Sequence, residues 1–160
     1  MTPEDRIAEL GLSLPPATRL PDGLHLPFAL INRRGTRLLF SGHPKTAPDG
    51  GIGGPYGMLG RDMDTEAGYA AARDIGLSVL ANIKAEIGEL SRIAGFMRVF
   101  GMVASTPDFT QQHLVVNGFS DLVIEVFGPD VGRHARSALG VTSLPMGFAI
   151  EIEGEVLLDG

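Results

Sequence analysis

The chain contains no cysteine, which removes disulfides, thiolate catalysis and sulfur-ligated metals together and leaves no sign of an oxidising compartment. It has no apolar run near the ~18 residues that a membrane span requires. Its start, Met1-Thr2-Pro3-Glu4-Asp5-Arg6, lacks the apolar core of a secretory signal, so the expected address is cytoplasmic, with no membrane partner. Basic residues are few: 13 Lys and Arg stand against 19 Asp and Glu, a formal net charge of -6, and the only dense basic clusters are Arg33-Arg34 with Arg37 and Arg133 with Arg136. Binding to a polyanionic backbone depends on clustered cations that displace counterions, so no nucleic-acid partner is expected. His25, His43, His113 and His134 are scattered without metal-ligand spacing, and the glycines between Gly50 and Gly60 fit neither the dinucleotide nor the Walker pattern. No metal is expected.

What the chain does have is an ordinary core and surface, with 44% hydrophobic and 20% charged residues over 160 positions, the size of one domain. Thr2-Pro3-Glu4-Asp5 supplies a cap, a proline for the first helical position and acids for the first turn. This predicts a short helix to Leu10 that stops at Gly11, read as a peripheral addition. Residues 1–25 are accordingly an N-terminal extension and 26–160 the main domain. Phe28–Ile31 and Leu38–Gly42, with a turn at Arg33-Arg34-Gly35, predict a hairpin. His43–Asp64, rich in Gly and Pro, predicts a loop with at most a short strand. Ala71, Ile75, Val79, Ile83 and Ile87 recur every four residues before Gly88 and predict an amphipathic helix. The apolar run Ile93–Val103 predicts a buried strand, Pro107–Val126 a second helix, and Ser137–Thr142 and Phe148–Leu158 two final strands. This order predicts an α+β fold, a mixed sheet with its two main helices on one face. Such a sheet leaves its other face bare in a monomer, so an oligomer is expected, of an order that the residues leave open.

In the last strand, alternation sets Ala149, Glu151 and Glu153 on one face and Phe148, Ile150 and Ile152 on the other. By residue type alone, Glu151 and Arg136 read as surface groups whose exposed pairing is worth ~0–1 kcal/mol. An arginine, however, also offers a planar fork that holds a carboxylate through two parallel hydrogen bonds, and a glutamate beside it can move protons.

The block from Ala135-Arg136-Ser137-Ala138 through Leu144-Pro145 to Ile150-Glu151-Ile152 resembles the signature of the RidA family, also called YjgF/YER057c/UK114 and formerly endoribonuclease L-PSP. The resemblance extends upstream to Gly35, Phe40-Ser41-Gly42 and Val116-Asn117 and covers roughly Leu26 to Leu157. It implies a chorismate-mutase-like fold, a homotrimer with sites between neighbours, and hydrolytic deamination of enamine or imine acids such as 2-aminoacrylate to 2-keto acids and ammonia, without a cofactor. Arg136 would fix the substrate carboxylate. Glu151 and the backbone carbonyl of Ala138 would hold the attacking water, and Ser41 and Asn117 would line the pocket. Phe28 falls where active members often carry a tyrosine, so that hydroxyl is missing. Two other readings stay open: a non-catalytic trimer that binds a small carboxylate metabolite, and a ribonuclease, which the acidic balance disfavours. For Ser41 a backbone-bonded hydroxyl and for Asn117 a solvent-facing amide are the plain alternatives.

Overall fold

A computed structural model describes residues 1–160. Five strands, β1 (Ile31–Arg34), β2 (Arg37–His43), β3 (Ile93–Ala104), β4 (Ala135–Val141) and β5 (Ile150–Leu158), form one sheet in the order β1-β2-β5-β3-β4. Only the β3–β4 pair is parallel. The long helices α2 (Thr65–Ile87) and α3 (Gln112–Phe127) lie on one face, with α1 (Pro3–Glu9) and the single turn α4 (Pro129–Gly132) at their edge. This is the expected α+β arrangement. No helix is long and apolar enough to cross a membrane.

The four-residue stripe of α2 is buried at Ile75, Val79, Ile83 and Ile87, but so are Ala72, Leu77, Leu80 and Ala81. The buried surface is wide because α2 packs both on the sheet and along α3. Glycines allow that second contact. A methyl group on Gly76 would meet Leu122, and one on Gly118 would run into the backbone carbonyl of Tyr69. Gly101 of β3 likewise lets Val116 of α3 sit directly on the strand. Against this seam the Phe40 and Phe119 rings stack at 6.1 Å. Gly118→Ala should therefore destabilise the protein. Helix propensity alone favours alanine by about 1 kcal/mol, but backbone cannot rotate aside as a side chain can, and overpacking costs about 1–3 kcal/mol. A urea midpoint at or above wild type would show that the helices separate without penalty.

Several expected boundaries move. The hairpin turn is Gly35-Thr36, with Arg34 paired to Arg37, and Gly35 has φ +61 at the first central position, a backbone state that glycine takes without strain. Arg33 and Arg34 thus belong to β1, and Phe28 precedes it. Helix α3 begins at Gln112 because Pro107–Gln111 forms a turn, closed by the Phe109 N–H donating to Thr106 O and the Gln112 side chain donating to Phe109 O. Helix α1 has its Thr2–Asp5 capping box, yet it is not peripheral. Ile7 is buried in the core, Glu4 accepts from Lys84 Nζ and the Leu90 N–H, and Arg6 donates to Glu125 O. The apolar side of this short helix covers hydrophobic surface that α3 would otherwise expose.

Candidate functional site

Strand β4 lies at the sheet edge, and its register sets Arg136, Ala138 and Gly140 beside Val99, Gly101 and Val103, three buried residues of β3. These β4 side chains accordingly face α3. One side of that helix presents a ladder of neutral acceptors. Arg136 Nη1 donates to Asn117 Oδ1 at 2.9 Å and to Ser120 Oγ at 3.0 Å, and Nη2 donates to His113 O at 3.2 Å. Positions 113, 117 and 120 are one turn apart, so a single face supplies all three. A guanidinium has about five N–H donors. With both Nη1 hydrogens and one on Nη2 engaged, the Nε–H and the other Nη2–H remain on adjoining nitrogens. No carboxylate pairs with Arg136, although seven other ion pairs form within the chain. Burial lowers its pKa, which a more distant Asp121 partly offsets. The result is a charged, oriented fork with two donors to spare and no anion.

Glu151 occupies the other face. Ile150 and Ile152 point into the core, and Glu151 pairs across from Met102 on the side away from the helices. Ala149 and Phe148, expected to separate onto the two faces, are both buried. They precede the strand and are covered by the glycine-rich loop: Ala149 N–H donates to Pro55 O, and Tyr56 stacks on Phe148 at 5.7 Å. Between Phe40 and His43 the β2–β5 register slips, so Ser41 and Gly42 oppose a single residue of β5. Such a bulge re-aims side chains. Here it turns His43 into the core, only 2% exposed, with Nδ1 2.5 Å from Ser41 O and Nε2 without a partner. His43 is therefore a core residue. The bulge also lays the Glu151 carboxylate against the bare Cα of Gly42, in space that any Cβ would claim. Burial, helped by the neighbouring Glu153, raises the pKa of Glu151.

Ser41 is a bonded hydroxyl, donating to Ala29 O at 2.7 Å and tying down the segment that carries Phe28, which is 56% exposed. Phe28 and Ser41 line a cleft of about 550 Å³ on the open face with Arg98, Phe100 and Glu153. Arg136, Asn117 and Ala138 thus come together on the helix side, while Phe28, Ser41 and Glu151 lie on the opposite face. Within one chain the arginine and the glutamate are not neighbours. Arg98, Ser120 and His134 were not singled out from sequence. The signals existed: a charge inside the apolar run of β3, a hydroxyl one turn beyond Asn117, and a histidine two residues before Arg136. No group of three or more His, Asp or Glu side chains is placed to hold a metal ion.

Acid should unfold the protein in two stages. Burial holds His43 and His134 below the ordinary histidine value, so between their folded values and about 6.5 the unfolded chain binds more protons, and stability falls as pH drops through that window. Glu4, Asp5, Asp62, Asp108 and Glu155 have lowered values, and their contribution is lost only nearer the carboxylate range. Glu151, with its raised value, contributes in the opposite direction over the same fall in pH, so the test uses Glu151→Gln: a thermal midpoint of that variant that is flat from neutral pH down to about 5 would contradict the histidine part.

A mixed sheet with two long helices on one face and an unpaired β4 edge defines the chorismate-mutase-like class. The chain belongs to the YjgF family: the family model described as "YjgF/chorismate_mutase-like, putative endoribonuclease" matches residues 4–150. It is similar to Protein TCP17 of Trypanosoma cruzi, 38% identical over 154 residues that cover 96% of this chain and 92% of that one. Among solved structures it is similar to Atu1372 of Agrobacterium tumefaciens, a protein "with unknown function" (36% identity, TM-score 0.85, 99% and 93% coverage). It is also similar to "a putative endoribonuclease" of Shewanella oneidensis (30% identity, TM-score 0.87, 99% and 100% coverage).

Proposed function

We propose that the protein is a homotrimeric hydrolase that deaminates reactive enamine and imine acids, with Arg136 holding the substrate carboxylate. The observation that carries this reading is the Arg136 guanidinium, held by three neutral acceptors, paired with no acid, and left with two adjoining N–H groups. A monocarboxylate supplies what that fork lacks, two oxygens and one negative charge.

What one protomer leaves uncovered supports an assembly. The open face and the β4 edge expose Leu39, Met97, Leu139 and Leu157, and the outer side of β4 has no strand partner. Closed cyclic association is the usual way to cover such surface. In a ring, the open face that carries Phe28, Ser41 and Glu151 on one copy meets the Arg136 side of the next. Substrate held there as its imine tautomer presents an electrophilic carbon. Glu151, which burial makes a stronger base, takes a proton from water as the water oxygen bonds to that carbon and the C=N π pair moves to nitrogen, which takes up a proton. The protonated Glu151 returns its proton to that nitrogen, the carbinolamine hydroxyl loses its own as the C=O bond forms, and the C–N bond breaks with its electron pair leaving on ammonia. Phe28 contributes an apolar wall in place of a hydroxyl.

The test generates 2-aminoacrylate in situ with a dehydratase and follows pyruvate and ammonia with and without the protein, while sedimentation measures its mass. Faster release of both products by a trimer is the expected result. Saturable pyruvate binding without acceleration would favour the non-catalytic carboxylate-binding reading. Cleavage of RNA by the purified protein would favour the nuclease reading.

A further inference from the structure

We propose that Ser120 and His134 are positioning residues for Arg136, and that His134 works as the neutral imidazole protonated on Nδ1. The inference rests on Arg136 being the carboxylate-holding group. It follows from the direction of each hydrogen bond. Arg136 Nη1 can only donate to Ser120 Oγ, at 3.0 Å, so the serine proton must point elsewhere. The acceptor within reach is His134 Nε2, at 2.9 Å, which is bare in a neutral ring whose one proton lies on Nδ1. The ring proton then sits on Nδ1, 2.7 Å from the carbonyl oxygen of Gly132, a group that only accepts. A carbonyl at the end of α4 thus sets the histidine tautomer, the tautomer sets the serine rotor, and the serine turns a lone pair to the guanidinium.

The surroundings support a fixed ring. The Phe96 and Phe119 rings flank His134, each with its centroid 6.4 Å away, and packing of that kind resists a ring flip. The small pocket that holds Ser120, His134 and Arg136 also contains Arg133 and Ile124 but no carboxylate. Burial and the Arg136 charge both keep the pKa of His134 below the ordinary value, so the ring is neutral at pH 7. A protonated ring would aim a second donor at Ser120 and set a second cation beside the first. Fixing Nη1 at both hydrogens stops the guanidinium plane from swinging about the Cδ–Nε bond, and the plane decides whether a carboxylate meets two donors or one.

Two measurements test this on the whole protein. Nitrogen-15 NMR of the histidine rings at neutral pH should show His134 with a protonated Nδ1 and a bare Nε2, the rarer neutral form. A protonated Nε2 overturns the proposal whether or not any ligand binds. The second is a pyruvate titration of wild type and variants. Ser120→Ala and His134→Phe should each weaken binding about five-fold, the size of one lost neutral hydrogen bond, and His134→Gln, which restores an acceptor at the Nε2 position, should recover most of the loss of His134→Phe. In turnover the same variants should raise KM and leave kcat nearly unchanged. If Arg136→Ala abolishes binding while Ser120→Ala and His134→Phe bind like wild type, the positioning role is wrong and the site reading stands. If Arg136→Ala itself binds like wild type, the site reading fails.

Discussion

Arg136→Ala should lower turnover of 2-aminoacrylate by about 10²–10⁴-fold and remove saturable pyruvate binding. In the proposed role the two free donors of the fork would make charge-assisted hydrogen bonds to the substrate, each worth about 1.5–3 kcal/mol, and losing both corresponds to that range of rate. The fold should tolerate the change. Asn117, a partner that Arg136 leaves behind, is partly exposed on α3 and can turn to water, and no acid loses a directly paired counter-charge. An unchanged urea midpoint beside the lost activity separates a missing anion grip from a missing fold. Arg136→Lys should recover little, because an ammonium has about three donors, fewer than the helix acceptors and a carboxylate together require. Wild-type rates in Arg136→Ala would mean that the substrate anion is held elsewhere, with Arg98 of the open-face cleft the first residue to test.

Glu151→Gln should lower kcat by about 10²–10⁴-fold with KM nearly unchanged, the usual contribution of a positioned general base. It should also stabilise the protein at neutral pH. A carboxyl whose folded pKa lies above its unfolded value favours folding fully only at pH below the unfolded value, and that contribution is lost as pH rises through the folded one. A neutral amide escapes this cost. Lower activity with higher stability is a signature that a merely structural glutamate does not produce. Gly42→Val should reproduce the kinetic loss without touching Glu151, since its Cβ takes the space in which the carboxylate lies. Wild-type kcat in both variants would remove Glu151 from the chemistry.

How much of this was legible in sequence depends on the range of each interaction. Helix α2 was readable because Ile75, Val79, Ile83 and Ile87 carry the period of one face, and β5 because Ile150 and Ile152 alternate with Glu151 and Glu153. Both patterns are local. The strand order was not readable, since β5 inserts between β2 and β3 through contacts far apart along the chain. The N-terminal helix was read as an appendage because one buried residue, Ile7, leaves almost no periodic signal. The residue types of the candidate site were named through the family signature, but their faces were not. Glu151 sits in a cleanly alternating strand, whereas β4 has no buried residue to mark its inner side, and only pairing with β3 fixes where Arg136 points. The bulge at Ser41-Gly42 is a counting mismatch between two strands, invisible in either alone.

The placement of Arg136 and Glu151 on opposite faces has a genetic consequence. If neighbouring copies each lend one half of every active centre, two individually dead alleles, Arg136→Ala and Glu151→Gln, complement each other when co-expressed. Random mixing in equal amounts joins an intact fork to an intact carboxylate at about a quarter of the interfaces. Were both groups drawn from the same polypeptide, the mixture would stay as inert as its parents.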